Sequence, residues 1–324
     1  SHGLYHLPIM ASRGCPYRCS FCSVSRMFGQ KVRRRSVDKV YQDIRSYVEQ
    51  GFREFLFYDD NFTSNRDWTR DLMCRIRPLG VRIRAQTRID FPWLDRARKL
   101  LDRALLDAMR RGSASTLYVG YETIDDSTAA QWHKGYRGQG VLRERLLEDT
   151  RILHDSGFWI HGMFVVGPHH TDKTVDQIFD FSRQARLESI HLSILTPLPG
   201  TPLFEEMRPH LVFTDFPQDW DYYDGGHCVY ANSRLGVQRL QETVLSTHRK
   251  FYRGYRWSLR RIRDALGEKA PLKDRLRWAW STAQVAQRTL KEWEEETRIF
   301  LELVRAKGAA APRAPEATLP SLTR

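Results

Sequence analysis

Between Leu7 and Leu195 the chain alternates six short apolar runs with longer amphipathic stretches. That alternation constrains the fold more than any other feature, because strand–helix–strand repeats build parallel sheet with helical crossovers. LPIMAS (7–12) reads as the first strand. Ser36 then caps VDKVYQDIRSYVEQ, where Val37, Val40, Tyr41, Ile44 and Val48 recur at helical spacing and Gly51 ends the run. EFLFY (54–58) is the second strand, closed by Asp59 and Asp60, and a helix over 65–78 is stopped by PLG. The third to sixth strands are VRIRAQTRID (81–90), STLYVGYET (115–123), FWIHGMFVVG (158–167) and ESIHLSIL (188–195), separated by helices over 92–111, 138–156 and 174–187.

Six strands fall short of the eight of a closed barrel, so the expected fold class is α/β: an open, partial (β/α)6 barrel with parallel strands. Arg82, Arg84, Gln86 and Arg88 share one face of strand three, and Thr116, Tyr118, Gly120 and Glu122 share one face of strand four. A polar-lined lumen explains both faces; a strand three at the sheet edge, with one wet side, is the alternative. After Leu195 the pattern changes to the turn TPLPGTPLF and the aromatic, acidic loop DWDYYDGGHCVY, followed by helical stretches over 236–265 and 272–306. The expected organisation is a core over 1–200, a connecting loop over 201–233, a C-terminal α-helical extension over 234–307 and a disordered, low-complexity tail over 308–324.

Composition narrows the setting. No run of about eighteen apolar residues is present, so no membrane span is expected. SHGLYHLPIMAS lacks the order of a secretory signal, and the chain begins at Ser1 rather than Met, as a fragment would. Five cysteines, an odd number crowded toward one end of 324 residues, make a poor disulfide framework and suit a reducing cytoplasm, hence a cytoplasmic location. The net charge of +13 comes mostly from arginine spread along the chain. VRRR (32–35) and WSLRRIR (257–263) are local patches without interleaved aromatics, so nucleic acid is not the favoured partner. Cys74, on an amphipathic helix, reads as core, and Cys228 as more open.

The remaining cysteines, Cys15, Cys19 and Cys22, lie in GCPYRCSFC with spacing C-x3-C-x2-C. A buried thiol pair with one spare, or a zinc site completed by a distant His, are the plain readings. Structural zinc takes four ligands, commonly in paired units, and neither a second Cys pair nor an H-x3-5-H segment is present. A cubane iron–sulfur cluster needs one ligand per iron, so three cysteines leave the fourth iron open.

The pattern resembles the radical S-adenosylmethionine superfamily, most closely its cobalamin-associated class. RGCPYRCSFC, FYDDNFT, LYVGYET, HGMFVVG, ILTPLPGTPLF and WDYYDGGHCVY carry the resemblance over residues 8–265. It implies a [4Fe-4S] cluster on Cys15, Cys19 and Cys22 and S-adenosyl-L-methionine as cofactor, cleaved to a 5′-deoxyadenosyl radical that abstracts hydrogen from substrate. It places Phe21 against the adenine, Asp59, Asp60 and Asn61 near the methionine amino group, Glu122 near the methionine or ribose, and Val165 to Gly167 behind the adenine. Structural readings stand beside these: a helix N-terminal acidic pair for Asp59 and Asp60, and an ion pair for Glu122. Thr123 stands where the family has Ser, and Pro168, His169 and His170 depart from its pattern. The histidines read as solvated loop residues or as substrate contacts, and Asp224 and His227 as substrate contacts or as capping and packing groups.

Relatives with these segments normally carry a cobalamin-binding domain ahead of the cysteine strand. Only fourteen residues precede Cys15, with no D-x-H-x-x-G segment, so cobalamin is expected from a missing domain or another chain. The expected function is hydrogen abstraction from an unknown small-molecule or peptide substrate, of methyltransferase or oxidoreductase type. Cobalamin-dependent methylation leads; cyclisation, epimerisation or oxidation without cobalamin is the alternative. An electron donor such as flavodoxin or ferredoxin is the implied partner. An iron–sulfur nucleic-acid-binding or redox-sensing protein is a reading of another class, and tRNA modification a third.

Overall fold

Six parallel strands lie side by side in chain order. They are β1 (Leu7–Ile9), β2 (Glu54–Phe57), β3 (Arg82–Arg88), β4 (Ala114–Glu122), β5 (Trp159–Val166) and β6 (Ser189–Ile194). Between them run α1 (Val37–Glu49), α2 (Arg66–Ile76), α3 (Arg103–Arg111), α4 (Leu142–Asp155) and α5 (Asp172–Gln184), and α6 (Gly236–Tyr252) and α7 (Leu272–Ala306) follow. This computed structural model describes residues 6–136, 140–231, 233–253 and 272–307. The (β/α)6 arrangement and the C-terminal helix match the expectation. The tail over 308–324, WSLRRIR and the end of the helical stretch expected over 236–265 lie outside the described residues.

The register explains the two-faced sheet. Ile9 pairs with Phe57, Phe57 with Ala85 and Ala85 with Leu117, giving one apolar row across four strands. All four are buried, as are Val81, Ile83, Thr87 and Ile89 on the same side of strand three. At about 25 cal/mol per Å2 of apolar surface, such rows supply the main driving force for closing helices onto the sheet. The neighbouring row, Leu56–Arg84–Thr116, is only half-buried. Its charges are matched in place, for Glu54 on β2 pairs with Arg82 at 2.9 Å and Arg84 at 3.5 Å on β3. Since β3 lies between β2 and β4, the edge-strand alternative falls.

Helix starts follow the expected chemistry. The Ser36 hydroxyl accepts the Lys39 N–H, and Asn65 and Asp102 accept the Trp68 and Leu105 N–H groups in the same way. The helix expected over 92–111 is instead α3 alone, preceded by an antiparallel pair, Trp93–Asp95 with Leu100–Leu101. Pro92 accepts the Asp102 N–H at 2.7 Å, and Lys99 turns the chain with φ 53°. The Trp93 indole donates to Asp149 at 2.6 Å, so tertiary anchors override helical propensity here.

The two isolated cysteines reverse their expected places. α2 buries Thr69, Leu72, Met73 and Ile76, which leaves Cys74 off the apolar stripe and exposed. Cys228 is buried beside Val229 and Tyr230, where Leu211 and Tyr230 form a β-bridge, and burial pushes its thiol up to about 12.

The chain divides into two compact units. One holds the chain up to Met163 with Gln184–Ser189 and Pro199–Pro202; the other holds Phe164–Arg183, Ile190–Leu198 and the chain from Leu203 on. In the second unit β6 ends the sheet order, and its outer backbone groups are met by other segments. Tyr252 on α6 accepts the Ile190 N–H at 2.9 Å and donates to the Ile190 carbonyl at 2.6 Å. His248 Nε2 accepts the Leu192 N–H, and the Gly225 carbonyl accepts that of Ile194. An edge strand so covered offers no template for a further strand. Trp293 on α7 packs against His248, with ring centroids 4.7 Å apart, and Glu294 bridges Arg249 of α6 and Arg253, which caps that helix.

Candidate functional site

In the first unit the loop that carries the three cysteines is closed at its base. Ser12–Arg13 pairs antiparallel with Arg33–Arg34, and the Arg35 N–H donates to the Ala11 carbonyl. Gly14 starts the loop with φ 97°, and a Cβ there would lie 3.1 Å from the Gly29 carbonyl oxygen and 3.2 Å from that of Lys31. Only glycine suits both the backbone conformation and the close approach.

The acidic end of β2 holds this loop from below. The Asp59 carboxylate accepts the Ala11 N–H at 2.8 Å and the Ser12 hydroxyl at 2.6 Å, while Asp60 accepts the Gly14 N–H at 2.8 Å. Burial pushes the Asp59 carboxyl up, against hydrogen bonds from Ser12 and Ala11 that favour its charged form. Asn61 is buried and accepts from the Thr63 hydroxyl.

The segment after β4 holds the loop from the other side. The Ser20 N–H donates to the Trp132 carbonyl, and Phe21 meets the Trp132 ring edge-on with centroids 5.5 Å apart. Glu122 ends β4 with φ 58° and accepts from Lys134 Nζ at 2.9 Å, both side chains being largely buried. A Cβ at Gly120 would lie 2.5 Å from Glu122 Oε1, so the missing side chain at Gly120 leaves the carboxylate room to fold back.

The end of β3 adds a group that the sequence reading did not assign. Arg88 makes two hydrogen bonds with Asp90, at 3.0 and 3.1 Å, and a third with the Gly135 carbonyl at 2.8 Å. Its guanidinium lies 3.8 Å from the centroid of the Tyr17 ring, between Cys15 and Cys19 in sequence. Tyr136 donates to the Tyr121 carbonyl. Arg88 was visible only as one of four polar residues on a strand face, and Lys134, in QWHKGY, carried no signal beyond its charge.

Burial raises the Cys19 thiol, with Lys134 and Arg88 pulling it back down and Glu122 and Cys15 adding to the rise. Burial lifts Cys22 to about 11; the Val24 N–H opposes this, and Cys19 and Cys15 reinforce it. The three thiols therefore stand within electrostatic reach of one another on one loop, each partly exposed. Among the described residues no three His, Cys, Asp or Glu side chains are placed to hold a single metal ion. A cubane cluster takes its thiolates on separate irons, and a loop of three spaced thiols suits it.

The other expected residues fall in the second unit. Val165, on β5, and Gly167 are buried, and the Gly167 N–H donates to His170 Nδ1 at 3.0 Å. His170 is thus buried rather than solvated, and His169 is half-buried with its pKa lowered by burial and by Arg234. Asp224 accepts the Gly226 N–H at 2.7 Å and meets His227 Nδ1 at 3.0 Å, the capping arrangement. Among the described residues no helix is long and apolar enough to cross a membrane.

The chain is 29% identical over 255 residues to the bacteriochlorophyllide d C-12(1)-methyltransferase of Chlorobaculum tepidum, covering 76% of this chain and 52% of that protein. It is 27% identical over 252 residues to the anaerobic magnesium-protoporphyrin IX monomethyl ester cyclase of Cereibacter sphaeroides, covering 76% and 38% respectively. The chain therefore spans about half the length, or less, of these relatives. The fold is similar to that of the radical S-adenosylmethionine methyltransferase TsrM from Kitasatospora setae, with TM-score 0.53 and 19% identity over 62% of this chain and 39% of that one. It is also similar to that of the cobalamin-dependent S-adenosylmethionine radical enzyme OxsB, with TM-score 0.55 and 14% identity over 93% of this chain and 50% of that one. Residues 9–182 match the model of the radical SAM superfamily, and the chain belongs to that superfamily.

Proposed function

We propose that this chain is the catalytic core of a radical S-adenosylmethionine enzyme that modifies an unactivated carbon, with methyl transfer as the outcome. The observation that carries the reading is the cysteine loop: three partly exposed thiols on a closed hairpin, beside Arg88 and the Glu122–Lys134 pair. Cys15, Cys19 and Cys22 would hold a [4Fe-4S] cluster. When bound, the cluster and S-adenosyl-L-methionine together supply a 5′-deoxyadenosyl radical.

The chain's own residues prepare that chemistry. Asp59 fixes the loop through Ala11 and Ser12, and it stays a candidate beside its neighbours for the methionine amino group. Asp60 and Asn61, at the same strand end, are the candidates for the methionine amino group. Glu122, held in a left-handed conformation against Lys134, is the candidate for the methionine or ribose hydroxyls. Phe21, packed on Trp132, is the candidate to offer its backbone to the adenine. Carboxylates suit an ammonium and hydroxyls, and C-terminal strand ends are where parallel α/β folds bind ligands.

Methyl transfer is favoured by the names of several relatives, and it would draw on cobalamin from a further domain or chain. Radical cyclisation without methyl transfer is the second reading, favoured by the cyclase relative. An anaerobic assay separates them. Reconstituted protein with a low-potential reductant should form 5′-deoxyadenosine, and Cys15→Ala, Cys19→Ala and Cys22→Ala should not. Product carrying a label from methyl-labelled S-adenosylmethionine only when cobalamin is supplied supports methyl transfer; unlabelled, cobalamin-independent turnover overturns it.

A further inference from the structure

Opposite the buried apolar row, strands β1 to β4 of the first unit share a second, inner face. Pro8 on β1 stands beside Leu56 on β2, Leu56 beside Arg84 on β3, and Arg84 beside Thr116 on β4. Met10, Tyr58 and Gln86 follow on the same face, because successive side chains along a strand alternate sides. Gln86 is exposed although β3 is flanked by strands on both sides, and Met10 and Tyr58 are 42% and 64% exposed, so this face is open. Its two halves differ. β1 and β2 bring the apolar Pro8, Met10, Leu56 and Tyr58, whereas β3 and β4 bring Arg84, Gln86, Thr116 and Tyr118.

Toward the N-terminal strand ends of that face, two buried nitrogens have no hydrogen-bond partner. Arg84 Nε and His6 Nδ1 are two of the five buried side-chain polar atoms that lack one among the described residues, and His6 lies in the electrostatic field of Arg84. The Glu54 carboxylate serves two guanidiniums unevenly, Arg82 at 2.9 Å and Arg84 at 3.5 Å, which leaves surplus positive charge beside His6. A surface arginine without a carboxylate is hydrated. A buried N–H without an acceptor is costly, and native folds fill such places with a water or a ligand. Burial and Arg84 keep the His6 imidazole neutral, and a neutral ring can carry its proton on Nδ1 and donate it. Two such donors beside surplus positive charge suit an anionic oxygen.

We propose that this face is the substrate floor and that the substrate is an elongated amphiphilic anion, its carboxylate or phosphate oxygen on Arg84 and His6 and its apolar body along Leu56 and Tyr58. This rests on the radical-enzyme reading above and adds the class of molecule on which the enzyme acts. Arg84 lies four residues before Arg88, whose guanidinium meets the Tyr17 ring of the cysteine loop. At roughly 3.3 Å per residue the anionic group therefore sits about 13 Å from that loop along the strand. The reacting carbon belongs to the far end of the apolar body, away from the anionic group.

The test titrates the reconstituted chain by calorimetry with decanoate, decyl phosphate, decanol and decyltrimethylammonium. The wild type should bind the anions about tenfold or more tighter than the neutral alcohol, with the cation weakest, and the tighter anion identifies the head group. Arg84→Gln should lose that preference at unchanged iron content, and Arg84→Lys should keep much of it. Glu54→Gln removes the competing carboxylate and should tighten anion binding, a gain that a purely structural role for Arg84 would not give. Tyr58→Ala should weaken the anions and the alcohol by the same factor. Equal binding of anions and alcohol by the wild type overturns the proposal and leaves Arg84 and His6 to an internal water. An anion preference that survives in Arg84→Gln overturns it too. Should Arg84→Gln fail to fold, His6→Ala and Glu54→Gln decide, and a preference unmoved in both is equally fatal. Anion binding that follows this pattern in a chain that forms no 5′-deoxyadenosine would instead keep the site and remove the radical-enzyme reading beneath it.

Discussion

The first unit's strand ends and the second unit's edge strand spend polar side chains in opposite ways. Along β6, Tyr252 and His248 use their polar atoms on backbone groups, one side chain against one or two main-chain atoms. At the ends of β3 and β4 the polar side chains meet each other instead, Arg88 with Asp90 and Glu122 with Lys134, and the thiols lie in their field. The first arrangement satisfies a backbone that water no longer reaches, and apolar neighbours would serve as well were the edge not there. The second keeps charges buried in pairs, which stabilises little against an apolar replacement and is strongly destabilising when halved.

That contrast gives graded expectations. The largest concerns the Glu122–Lys134 pair. Glu122→Ala strands a buried ammonium and should lower unfolding free energy by about 3–5 kcal/mol in urea titration. The double variant E122A/K134M should recover most of that loss without recovering S-adenosylmethionine binding. If the double variant binds cofactor normally, the pair is structural alone.

Asp59→Ala comes next. It leaves the buried Ala11 N–H and Ser12 hydroxyl without their acceptor, at about 1–3 kcal/mol for each unsatisfied group. Because those bonds fix the base of the cysteine loop, reconstituted iron per chain should fall as well, read by iron assay. Stability loss with full iron content would separate the loop from Asp59.

Tyr252→Phe removes one hydroxyl from the covered edge and should cost about 1–2 kcal/mol by thermal or urea melt, leaving iron content untouched. A loss of iron in this variant would break the contrast between the two regions.

The smallest effect is expected at the isolated cysteines. Cys74→Ser should leave stability within about 0.5 kcal/mol, as an exposed substitution does. An aromatic disulfide reagent should label Cys74 in the native protein, and Cys228 only on unfolding, as its burial and raised pKa require.

Much of this was legible in the sequence for identifiable reasons. The six strands could be read because each changes the hydrophobic period, and Val81, Ile83, Ala85, Thr87 and Ile89 lie on the buried face that their alternation prescribes. The helix caps at Ser36 and Asn65 follow from short polar side chains ahead of apolar stripes. The three cysteines stand out by spacing alone. What could not be read depends on contacts distant in sequence. The Trp93–Asp149 bond turns an apparent helix into a hairpin, and the depth of Cys228 is set by residues around Tyr230 rather than by its polar neighbours. Arg88 and Lys134 were obscured for the same reason, since Gly135 and Glu122, which they meet, lie 47 and 12 residues away in sequence. Asp59 and Asp60 were placed at the right strand end, but their hold on Ala11, Ser12 and Gly14 is a tertiary fact.

The central claim is that Cys15, Cys19 and Cys22 leave one iron open to S-adenosylmethionine. Electron paramagnetic resonance of the reconstituted, dithionite-reduced protein tests it most directly. About four irons per chain, a reduced [4Fe-4S] signal, and a change in that signal when S-adenosylmethionine is added are the expected result. A cluster signal indifferent to S-adenosylmethionine, or a chain that retains one zinc and no cluster, would contradict it.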